Sequence, residues 1–268
     1  MGWTERLRSL LPSGPGAFDG LTGPPPSGNG ASSFHLFWDL PPGHWVGAEC
    51  TIELVEAPAV SKLYFWAMQV GFAEGGRGCG AGHIGPQWFS VRPGRAAINW
   101  GGYGADGREL DGSISPLPAT NGNVNTRDFA WQPGRPYRLR VLPASVPAAG
   151  RLTAWRGSVT DLATGEETMI RDLYAPGDRI ESPMVWSEVF AACDDPPATA
   201  RWSDLAVIGV DGGRTPVGAA SVNYQAIADG GCLNTTIEVD RDGAAFLQRT
   251  ATPRSTPQGA RLALNASR

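Results

Sequence analysis

The sequence contains almost no lysine. Lys62 is the single lysine among 268 residues, and every other Lys/Arg-type basic side chain is an arginine. Acidic residues outnumber basic ones, 26 against 22, which gives a net charge of −4, and the arginines form no cluster. Nucleic-acid-binding domains carry a basic patch or stripe that neutralises phosphates. The charge pattern therefore argues against a nucleic acid as a partner.

Long hydrophobic runs are also missing. No stretch approaches the roughly 20 apolar residues of a membrane-spanning helix, and residues 1–20 lack the apolar segment of a secretory signal. We therefore expect no membrane partner. Two locations stay open: the cytoplasm, or the outside of the cell for a chain whose export signal has been removed. The oligomeric state is not predicted by these features.

Helical periodicity is absent beyond a few turns. Gly (36) and Pro (23) are frequent and follow no three-residue period, which indicates many turns. Short apolar or alternating runs between them predict strands at 33–38, 46–56, 62–72, 82–90, 95–100, 137–142, 151–161, 167–174, 184–191, 200–210, 221–224, 236–240 and 245–249. Many short strands without strand–helix–strand spacing are typical of an all-β antiparallel β-sandwich or jelly roll.

The stretch 61–100 has the strongest strand signal. Its first run, from Leu63 to Val70, is apolar in both alternating sets of positions, as in a strand whose two faces are covered. Gln69 and Gln87 are single polar side chains inside the first two runs. We predict that these strands lie in the middle of a sheet, and that the outer surface of this sheet forms a groove for a polar ligand.

Composition divides the chain into three parts. Residues 1–32, rich in Pro, Gly and Ser from residue 14 onwards, are predicted to be an N-terminal arm or linker. Residues 33–210 are predicted to form the β-sandwich core, and residues 211–268 a C-terminal β extension packed on the same sandwich. The loop 101–125 has no period, and such long loops in a compact domain are usually functional or mobile.

The four cysteines do not have the spacing of a zinc site. Cys50 shares its strand face with Ile52 and Leu54, which predicts a buried free thiol. Four cysteines allow three fully paired connectivities. Cys193 and Cys232 lie in turn-rich segments and are the pair for which we predict a disulfide, with free thiols as the equally weighted alternative.

Five motifs form a recognisable set: Phe65-Trp66-x-x-Gln69-x-x-Phe72, Gly82-His83-Ile84-Gly85-x-Gln87, Trp131-x-Pro133-Gly134-Arg135-x-Tyr137-Arg138-Leu139, Trp186-Ser187-Glu188-Val189-Phe190 and Asp229-Gly230-Gly231-Cys232-x-Asn234-Thr235. Together they resemble a bacterial family known as domain of unknown function 3472, over roughly residues 33–264. The resemblance implies a concanavalin A-like sandwich, the fold of lectins, glucanases and polysaccharide lyases. It implies no reaction, since one fold carries many functions. Members of that family usually look like exported proteins, whereas this chain shows no export signal. They also tend to carry a residue with a smaller effect on the strand at the position of Pro86.

Glu188 is the carboxylate best suited to chemistry. It shares a strand face with Trp186 and Phe190, so we expect partial desolvation and a raised pKa, which is the state that a general acid needs. The alternative is an ion pair inside the sandwich with one of the arginines, for instance Arg156, Arg171 or Arg201.

A catalytic Glu188 needs a partner, and in a glycosidase this is a second carboxylate at a fixed separation. Asp204 is the predicted partner, because it lies on a neighbouring predicted strand, as Asp161 and Asp172 also do. His83 is the alternative partner.

No cofactor is predicted, apart from a structural Ca²⁺ as an open alternative. Asp194 and Asp195 supply carboxylates in a turn-rich segment, a setting in which sandwich domains bind Ca²⁺, but acidic turns without metal are also common. A three-histidine metal site would need His35, His44 and His83 to converge, and single structural histidines are the commoner explanation.

Ten tryptophans exceed what one core face accommodates. Most must be buried, and an exposed indole beside Gln, Asn or Glu is suited to hold a sugar ring. We predict the segment 100–103, Trp-Gly-Gly-Tyr, as a turn that provides such a platform. The predicted ligand-binding residues are Trp66, Gln69, Gln87, Trp100, Tyr103 and Trp186.

These features predict a carbohydrate-recognising β-sandwich protein that binds a polysaccharide or oligosaccharide in an aromatic-lined groove. The alternative is a glycoside hydrolase or polysaccharide lyase with Glu188 as acid/base, and whether the protein is an enzyme stays open. A third alternative is a structural or adhesive protein with no small ligand, whose sign would be a flat surface near Trp100 and Glu188.

Overall fold

The computed structural model describes residues 18–89, 96–120, 122–144 and 154–265. These residues form seventeen strands: β1 (Ser32–Trp38), β2 (Trp45–Glu56), β3 (Tyr64–Glu74), β4 (Arg77–Trp88), β5 (Ala96–Gly104), β6 (Ala119–Thr120), β7 (Asn123–Asp128), β8 (Pro136–Pro143), β9 (Trp155–Asp161), β10 (Glu166–Leu173), β11 (Arg179–Val189), β12 (Thr199–Gly209), β13 (Arg214–Pro216), β14 (Ala219–Tyr224), β15 (Thr236–Val239), β16 (Phe246–Arg249) and β17 (Arg261–Ala263). A single 3₁₀ turn, Ile227–Asp229, is the helical structure in the described part.

The strands form two antiparallel sheets that face each other across one core. The nine-stranded sheet has the order β17-β14-β1-β11-β3-β4-β5-β7-β6. The eight-stranded sheet has the order β10-β9-β8-β2-β12-β16-β15, with β13 paired to β12. The prediction of an all-β antiparallel sandwich is confirmed, and each predicted strand overlaps an observed one. The strands not predicted are β6, β7, β13 and β17, which are short.

The edges of the nine-stranded sheet are made of very short strands. β17 has three residues and β6 has two. Strand β10, at one edge of the other sheet, carries several charged side chains along its eight residues. The central strands of the nine-stranded sheet are much longer, since β3 has 11 residues and β4 has 12.

The stretch 61–100 lies in the middle of the nine-stranded sheet, as predicted, because it supplies β3, β4 and the start of β5. In β3, Tyr64, Trp66 and Met68 point into the core between the sheets. Phe65 and Ala67 point to the opposite face, where they form a separate apolar cluster with Trp186. No third layer covers this face in the described chain, so its apolar residues are covered by neighbouring side chains instead.

Several tryptophans lie in the core, and the indole nitrogens of two of them donate to main-chain carbonyls of other strands or loops. Trp100 donates from Nε1 to the Trp155 carbonyl oxygen at 3.2 Å, and Trp155 donates to the Ala175 carbonyl oxygen at 3.2 Å. Both indoles are fully buried. Large aromatics contribute much of the apolar area that a sandwich buries.

The Trp100 ring lies against a glycine of the facing sheet. A Cβ atom added to Gly157, on β9, would lie 2.6 to 2.8 Å from three atoms of that indole. The absence of a side chain at this position therefore allows the ring to fit between the sheets.

Gln248, on β16, joins the two sheets through hydrogen bonds inside the core. Its Oε1 accepts from Ser187 Oγ at 2.8 Å and from Trp202 Nε1 at 2.8 Å, and its Nε2 donates to the Phe34 carbonyl oxygen at 3.1 Å. Ser187 and Phe34 belong to the nine-stranded sheet, whereas Trp202 belongs to the eight-stranded sheet. Gln248 is 1% exposed, so its three bonds are shielded from water.

Cys193 and Cys232 form a disulfide, as predicted, with 5.5 Å between their Cα atoms and a sequence separation of 39. Cys50 is a buried free thiol, also as predicted. The disulfide lies beside the N-terminal segment, because the Cys193 amide donates to the Gly23 carbonyl oxygen at 2.9 Å. Closing a loop of this length stabilises a folded chain by roughly 2 to 4 kcal/mol.

The residues on either side of the predicted sandwich core contribute to the same body. Beyond residue 211, β14 and β17 add to the nine-stranded sheet, and β15 and β16 add to the eight-stranded sheet. Residues 18–31 precede β1 and contact the disulfide region. No helix in the described ranges is long and apolar enough to cross a bilayer.

Candidate functional site

The open face of the nine-stranded sheet carries a cleft of about 490 Å³, which we call the sheet groove. It is lined by Asn29, Leu63, Phe65, Gln69, His83, Gln87, Phe89, Asn99, Gly102, Tyr103, Glu109, Asn123, Asn125, Thr126, Trp186 and Glu188. A second cleft of about 260 Å³, the side cleft, adjoins it and is lined by Ser33, His35, Phe37, Gln69, Met184, Trp186 and Glu188. Gln69, Trp186 and Glu188 line both clefts and therefore mark the boundary between them.

Strand register explains why these side chains meet. Glu188 on β11 lies opposite Phe65 on β3, which lies opposite Gln87 on β4. In a parallel row, Gln69 on β3 lies opposite His83 on β4. Residues directly opposite each other in antiparallel strands share a face, so both rows project from the open side of the sheet.

An aromatic cluster forms the apolar part of the groove. The rings of Phe65 and Trp186 pack edge to face with centroids 4.8 Å apart, and His83 lies 5.6 Å from Phe65. Tyr103 extends the cluster, 6.3 Å from His83, and is 54% exposed. The Trp186 Nε1 donates to Gln69 Oε1 at 3.2 Å, so this indole is fixed in position by a polar residue of the groove.

Glu188 has the electrostatic setting that the sequence predicts. Desolvation by burial raises the pKa of its carboxyl above the ordinary value, and a hydrogen bond from Asn29 Nδ2 at 2.9 Å acts in the opposite direction. The arginines considered as ion-pair partners are engaged elsewhere: Arg156 with Asp172, Arg171 with Asn125 and Arg201 with Asp240. Its neighbour is thus a neutral amide rather than a cation.

His83 is a neutral side chain in the groove at physiological pH. Desolvation by burial lowers the pKa of its imidazole to about 4. In a neutral imidazole one ring nitrogen donates a hydrogen bond and the other accepts one, but the ring provides no positive charge for an anionic ligand.

The pKa of His83 predicts a pH dependence of stability. Between pH 6.5 and pH 4 the unfolded chain takes up a proton that the folded chain does not, so the free energy of unfolding falls by up to about 3 kcal/mol over this window as pH decreases. Above pH 6.5 the effect is absent. We expect His83→Asn to reduce this fall, measured as the urea midpoint between pH 4 and pH 7.5.

Two other groups titrate near this window and define the control. Burial lowers the pKa of His35 as well, which adds to the fall, whereas the raised pKa of Glu188 acts with opposite sign, because the folded chain then binds a proton more readily than the unfolded one. The contribution of His83 is therefore the difference between the pH profiles of unfolding free energy of wild type and of the His83→Asn variant. The exposed His44→Asn serves as the matched variant, and an unchanged profile for His83→Asn would contradict the assignment.

Two amide side chains of the groove are buried and have an oxygen without a hydrogen-bond partner among the described residues. These are Gln87 Oε1 and Asn99 Oδ1, and each residue is 6% exposed. The Asn99 amide nitrogen donates to Thr126 Oγ1 at 2.9 Å, which fixes the orientation of that side chain. Buried acceptors of this kind are rare in folded proteins and need a specific explanation.

The predicted catalytic partner Asp204 is not in the groove, so the pairing with Glu188 is wrong. Asp204 belongs to β12 of the eight-stranded sheet, where it accepts from Thr51 Oγ1 at 3.2 Å and borders another cleft beside Arg214. Asp161 and Asp172 also belong to that sheet and pair with Arg135 and Arg156. His83, by contrast, lines the groove together with Glu188.

Two predicted ligand-binding residues are core residues instead. Trp66 is 2% exposed and Trp100 is fully buried, both between the sheets. The segment 100–103 is not a turn but part of β5, so Trp100 and Tyr103 point to opposite faces. Gln69, Gln87, Tyr103 and Trp186 do line the groove.

Neither the Ca²⁺ site nor the three-histidine site is assembled in the described residues, because no three His, Cys, Asp or Glu side chains there lie close enough together to bind a metal ion. Asp194 accepts from the Gly23 amide, and Asp195 from the Ala192 amide. His44 contacts the Asp178 carbonyl oxygen at 2.9 Å, and His35 contacts Asn223. The three histidines lie apart: His83 lines the groove, His35 lines the side cleft and His44 is exposed.

Sequence reasoning missed several groove residues. Asn29 comes from the N-terminal segment, 159 residues before Glu188, and no local pattern connects the two. Asn99 lies between the apolar residues Ile98 and Trp100 of one strand. This alternation was the sequence signal that could have placed Asn99 on the face opposite the core. Glu109 and Asn125 belong to the loop and strand after β5, where Asn125 Nδ2 donates to Glu109 Oε1.

Fold and site together define an antiparallel β-sandwich with a polar and aromatic groove on one open sheet. No protein-family model and no curated protein matches the chain. The similarity to the family of unknown function therefore stays a prediction.

Solved structures with similar architecture include scytalido-glutamic peptidase with a peptide-based transition-state analogue (TM-score 0.44, 11% identity, 85% of this chain and 98% of that chain). Another is SCP-B, a member of the eqolisin family of peptidases, in complex with a tripeptide (TM-score 0.42, 10% identity, 85% and 98%). Scores this low transfer no residue role to this chain, and the fold assignment rests on its own sheets.

Proposed function

We propose that the sheet groove binds an oligosaccharide. The observation that carries this proposal is the combination of an aromatic cluster with amide and carboxylate side chains on one open sheet face. Sugar rings present apolar C–H faces that pack on aromatic rings and hydroxyl edges that hydrogen-bond to amides. Tyr103 supplies an exposed ring, and Gln69, Gln87 and Asn99 supply the amides. The groove and the side cleft together are large enough for several sugar residues.

The Tyr103 ring is the part of the groove that a substitution tests most directly. We expect Tyr103→Ala to weaken oligosaccharide binding about threefold to tenfold, because the substitution removes the ring face that a sugar would cover, and aromatic packing contributes roughly 0.5 to 1.5 kcal/mol. Binding is measured by calorimetry after a glycan array of plant and microbial polysaccharides has selected a ligand.

Tyr174→Ala is the matched control for that measurement. Tyr174 is 51% exposed, close to the 54% of Tyr103, but follows β10 of the other sheet and does not line the groove. We expect the control to bind as wild type does. A wild-type protein that binds no glycan on the array contradicts the proposal.

A second candidate function is hydrolysis with Glu188 as the acid. The observation in its favour is that Glu188 lies where the groove and the side cleft meet, with a raised pKa. A bond of a polymer that occupies both clefts would pass over this carboxyl, which in its protonated form donates to the leaving group. The groove thus has a general acid in a suitable place.

A two-carboxylate glycosidase is less well supported. Among the described residues, the other carboxylate that lines the groove is Glu109, which follows β5 and forms a β-bridge with Tyr103 of that strand. Strand β5 is three strands from β11, and three spacings of about 4.8 Å separate them by roughly 14 Å. Glycosidase carboxylates lie about 5 to 9.5 Å apart. A hydrolase at this site would therefore pair Glu188 with a group other than a carboxylate.

Glu188→Gln tests hydrolysis. We expect at least a hundredfold loss of turnover with a free energy of unfolding within about 1 kcal/mol of wild type, because glutamine retains an acceptor for Asn29 and removes a partly desolvated charge. Substrates are neutral polysaccharides and an unfolded protein, assayed between pH 4 and pH 7. Asp204→Asn, on the other sheet, is the control variant, and a wild-type protein inert on every substrate ends this candidate.

A further inference from the structure

The two unpaired amide oxygens lie on the side of the groove away from Glu188. Gln87 belongs to β4 and Asn99 to β5, adjacent strands of the open sheet, where Gln87 lies opposite Ala97 and Asn99 lies opposite Gly85. Both side chains are more than nine-tenths buried and line the groove, yet Gln87 Oε1 and Asn99 Oδ1 accept no hydrogen bond from the described chain. A desolvated acceptor without a donor destabilises a folded chain. Two such acceptors in one cleft indicate a ligand that brings donors.

The charge of the groove restricts that ligand. Its charged side chains are the carboxylates of Glu188 and Glu109, and no lysine or arginine is among the described residues that line the groove or the side cleft. The low pKa of His83 leaves its imidazole neutral at pH 7. Arg171, which donates to Asn125 Oδ1, lies close enough to Glu109 to balance that carboxylate. An anionic sugar beside Glu188, by contrast, would meet a negative side chain with no compensating cation among the described residues, and like charges that face each other lower affinity and suppress binding of the wrong partner.

We propose that the amides of Gln87 and Asn99, whose oxygens are enclosed in the ligand-free groove, shift on binding so that Gln87 Oε1 and Asn99 Oδ1 accept hydrogen bonds from the hydroxyl groups of an uncharged sugar residue, and that the sheet groove rejects sugars that carry carboxylates. This inference rests on the proposed function and narrows its ligand to neutral glycans. It also opposes a polysaccharide lyase, since lyases act on uronic acid residues and need a group that neutralises the uronate.

Gln87→Met tests the inference, because methionine has nearly the same length and shape but no strong acceptor. The probes are neutral hexasaccharides of β-linked glucose and of β-linked mannose, and a hexasaccharide of galacturonic acid, titrated by calorimetry at pH 7. For wild type we expect a neutral hexasaccharide to bind at least tenfold more tightly than the galacturonate. We expect the variant to lose at least tenfold of that neutral affinity.

A stability readout separates binding from a structural role. The ligand-free Gln87→Met variant should melt at the wild-type temperature or above, because the substitution removes a buried acceptor that has no partner. Glu188→Gln should narrow the difference between neutral and galacturonate affinities, since it removes one negative charge.

Three outcomes overturn the inference. Equal affinity for neutral and galacturonate probes, or unchanged neutral affinity in Gln87→Met, would do so while leaving glycan binding itself intact. A melting temperature several degrees below wild type for ligand-free Gln87→Met would show that this amide supports the fold. If wild type binds none of the hexasaccharides, the glycan array decides: binding only to charged glycans overturns the inference alone, and binding to no glycan overturns it together with the proposed function.

Discussion

Gln248→Leu is expected to lower the free energy of unfolding by about 4 kcal/mol. The substitution leaves the Ser187 hydroxyl, the Trp202 indole N–H and the Phe34 carbonyl without their partner inside the core. Each buried polar group that loses its partner costs roughly 1 to 3 kcal/mol. A loss near 4 kcal/mol is a large part of the 5 to 15 kcal/mol that stabilises an ordinary domain. The measurement is the urea midpoint at pH 7.

The exposed Gln132→Leu provides the matched control for Gln248→Leu, and we expect it to change stability by less than about 0.5 kcal/mol. A double-mutant cycle with Trp202→Phe sharpens the test. Removal of the indole N–H should cost less in the Gln248→Leu background than in wild type, because its acceptor is already gone. A loss below about 1 kcal/mol for Gln248→Leu would show that the hydrogen bonds between the sheets contribute little.

The same bonds bear on the groove. Ser187 points into the core and its neighbour Glu188 points to the open face, since successive residues of a strand alternate. Gln248 therefore anchors the strand that presents Glu188, and we expect weakened ligand binding in Gln248→Leu even at temperatures where the variant is folded.

Gly157→Ala is expected to destabilise the protein by about 2 kcal/mol. The new Cβ would lie 2.6 to 2.8 Å from three ring atoms of Trp100, a distance that the flat indole cannot relieve without leaving its hydrogen bond to the Trp155 carbonyl. Overpacking of a filled core typically costs 1 to 3 kcal/mol. The gain of up to about 1 kcal/mol from a less flexible unfolded chain does not offset it. The change is measured as a thermal and urea unfolding midpoint.

Gly218→Ala separates the steric effect from a general effect of replacing glycine, because a Cβ at Gly218 meets no atom within 4 Å. We expect this control to be neutral or slightly stabilising. In combination with Trp100→Leu, the Gly157→Ala cost should fall well below its value in wild type. If the losses of unfolding free energy for the two substitutions simply add, the contact between the Trp100 ring and β9 is not the cause of the destabilisation by Gly157→Ala.

The strands were predictable because their signal is local. Apolar runs between Gly- and Pro-rich turns located every long strand, and strand alternation placed Glu188 on the same face as Trp186. The disulfide was predictable in part, since both cysteines lie in turn-rich segments where chain ends can approach each other.

The assembly of the site was harder to predict because it depends on strand order. β11 and β12 are consecutive in sequence, yet they belong to different sheets, so Asp204 is separated from Glu188 by the core. Nothing in a local pattern says which sheet a strand joins. Trp100 was misplaced for another reason: Gly101 and Gly102 read as a turn, whereas here they are strand residues. A Cβ at Gly102 would lie 2.1 Å from the Ala81 carbonyl oxygen, so glycine permits close approach of β4 and β5.

The short outer strands of the nine-stranded sheet have a consequence for behaviour at high concentration. A long exposed strand offers unpaired N–H and C=O groups on which another molecule can add as a further strand, which is a common route to aggregation and domain swapping. With three residues in β17 and two in β6, this sheet offers almost no such template, although its interior strands are long. Strand addition to the edges of the nine-stranded sheet should therefore contribute little to self-association in concentrated solutions.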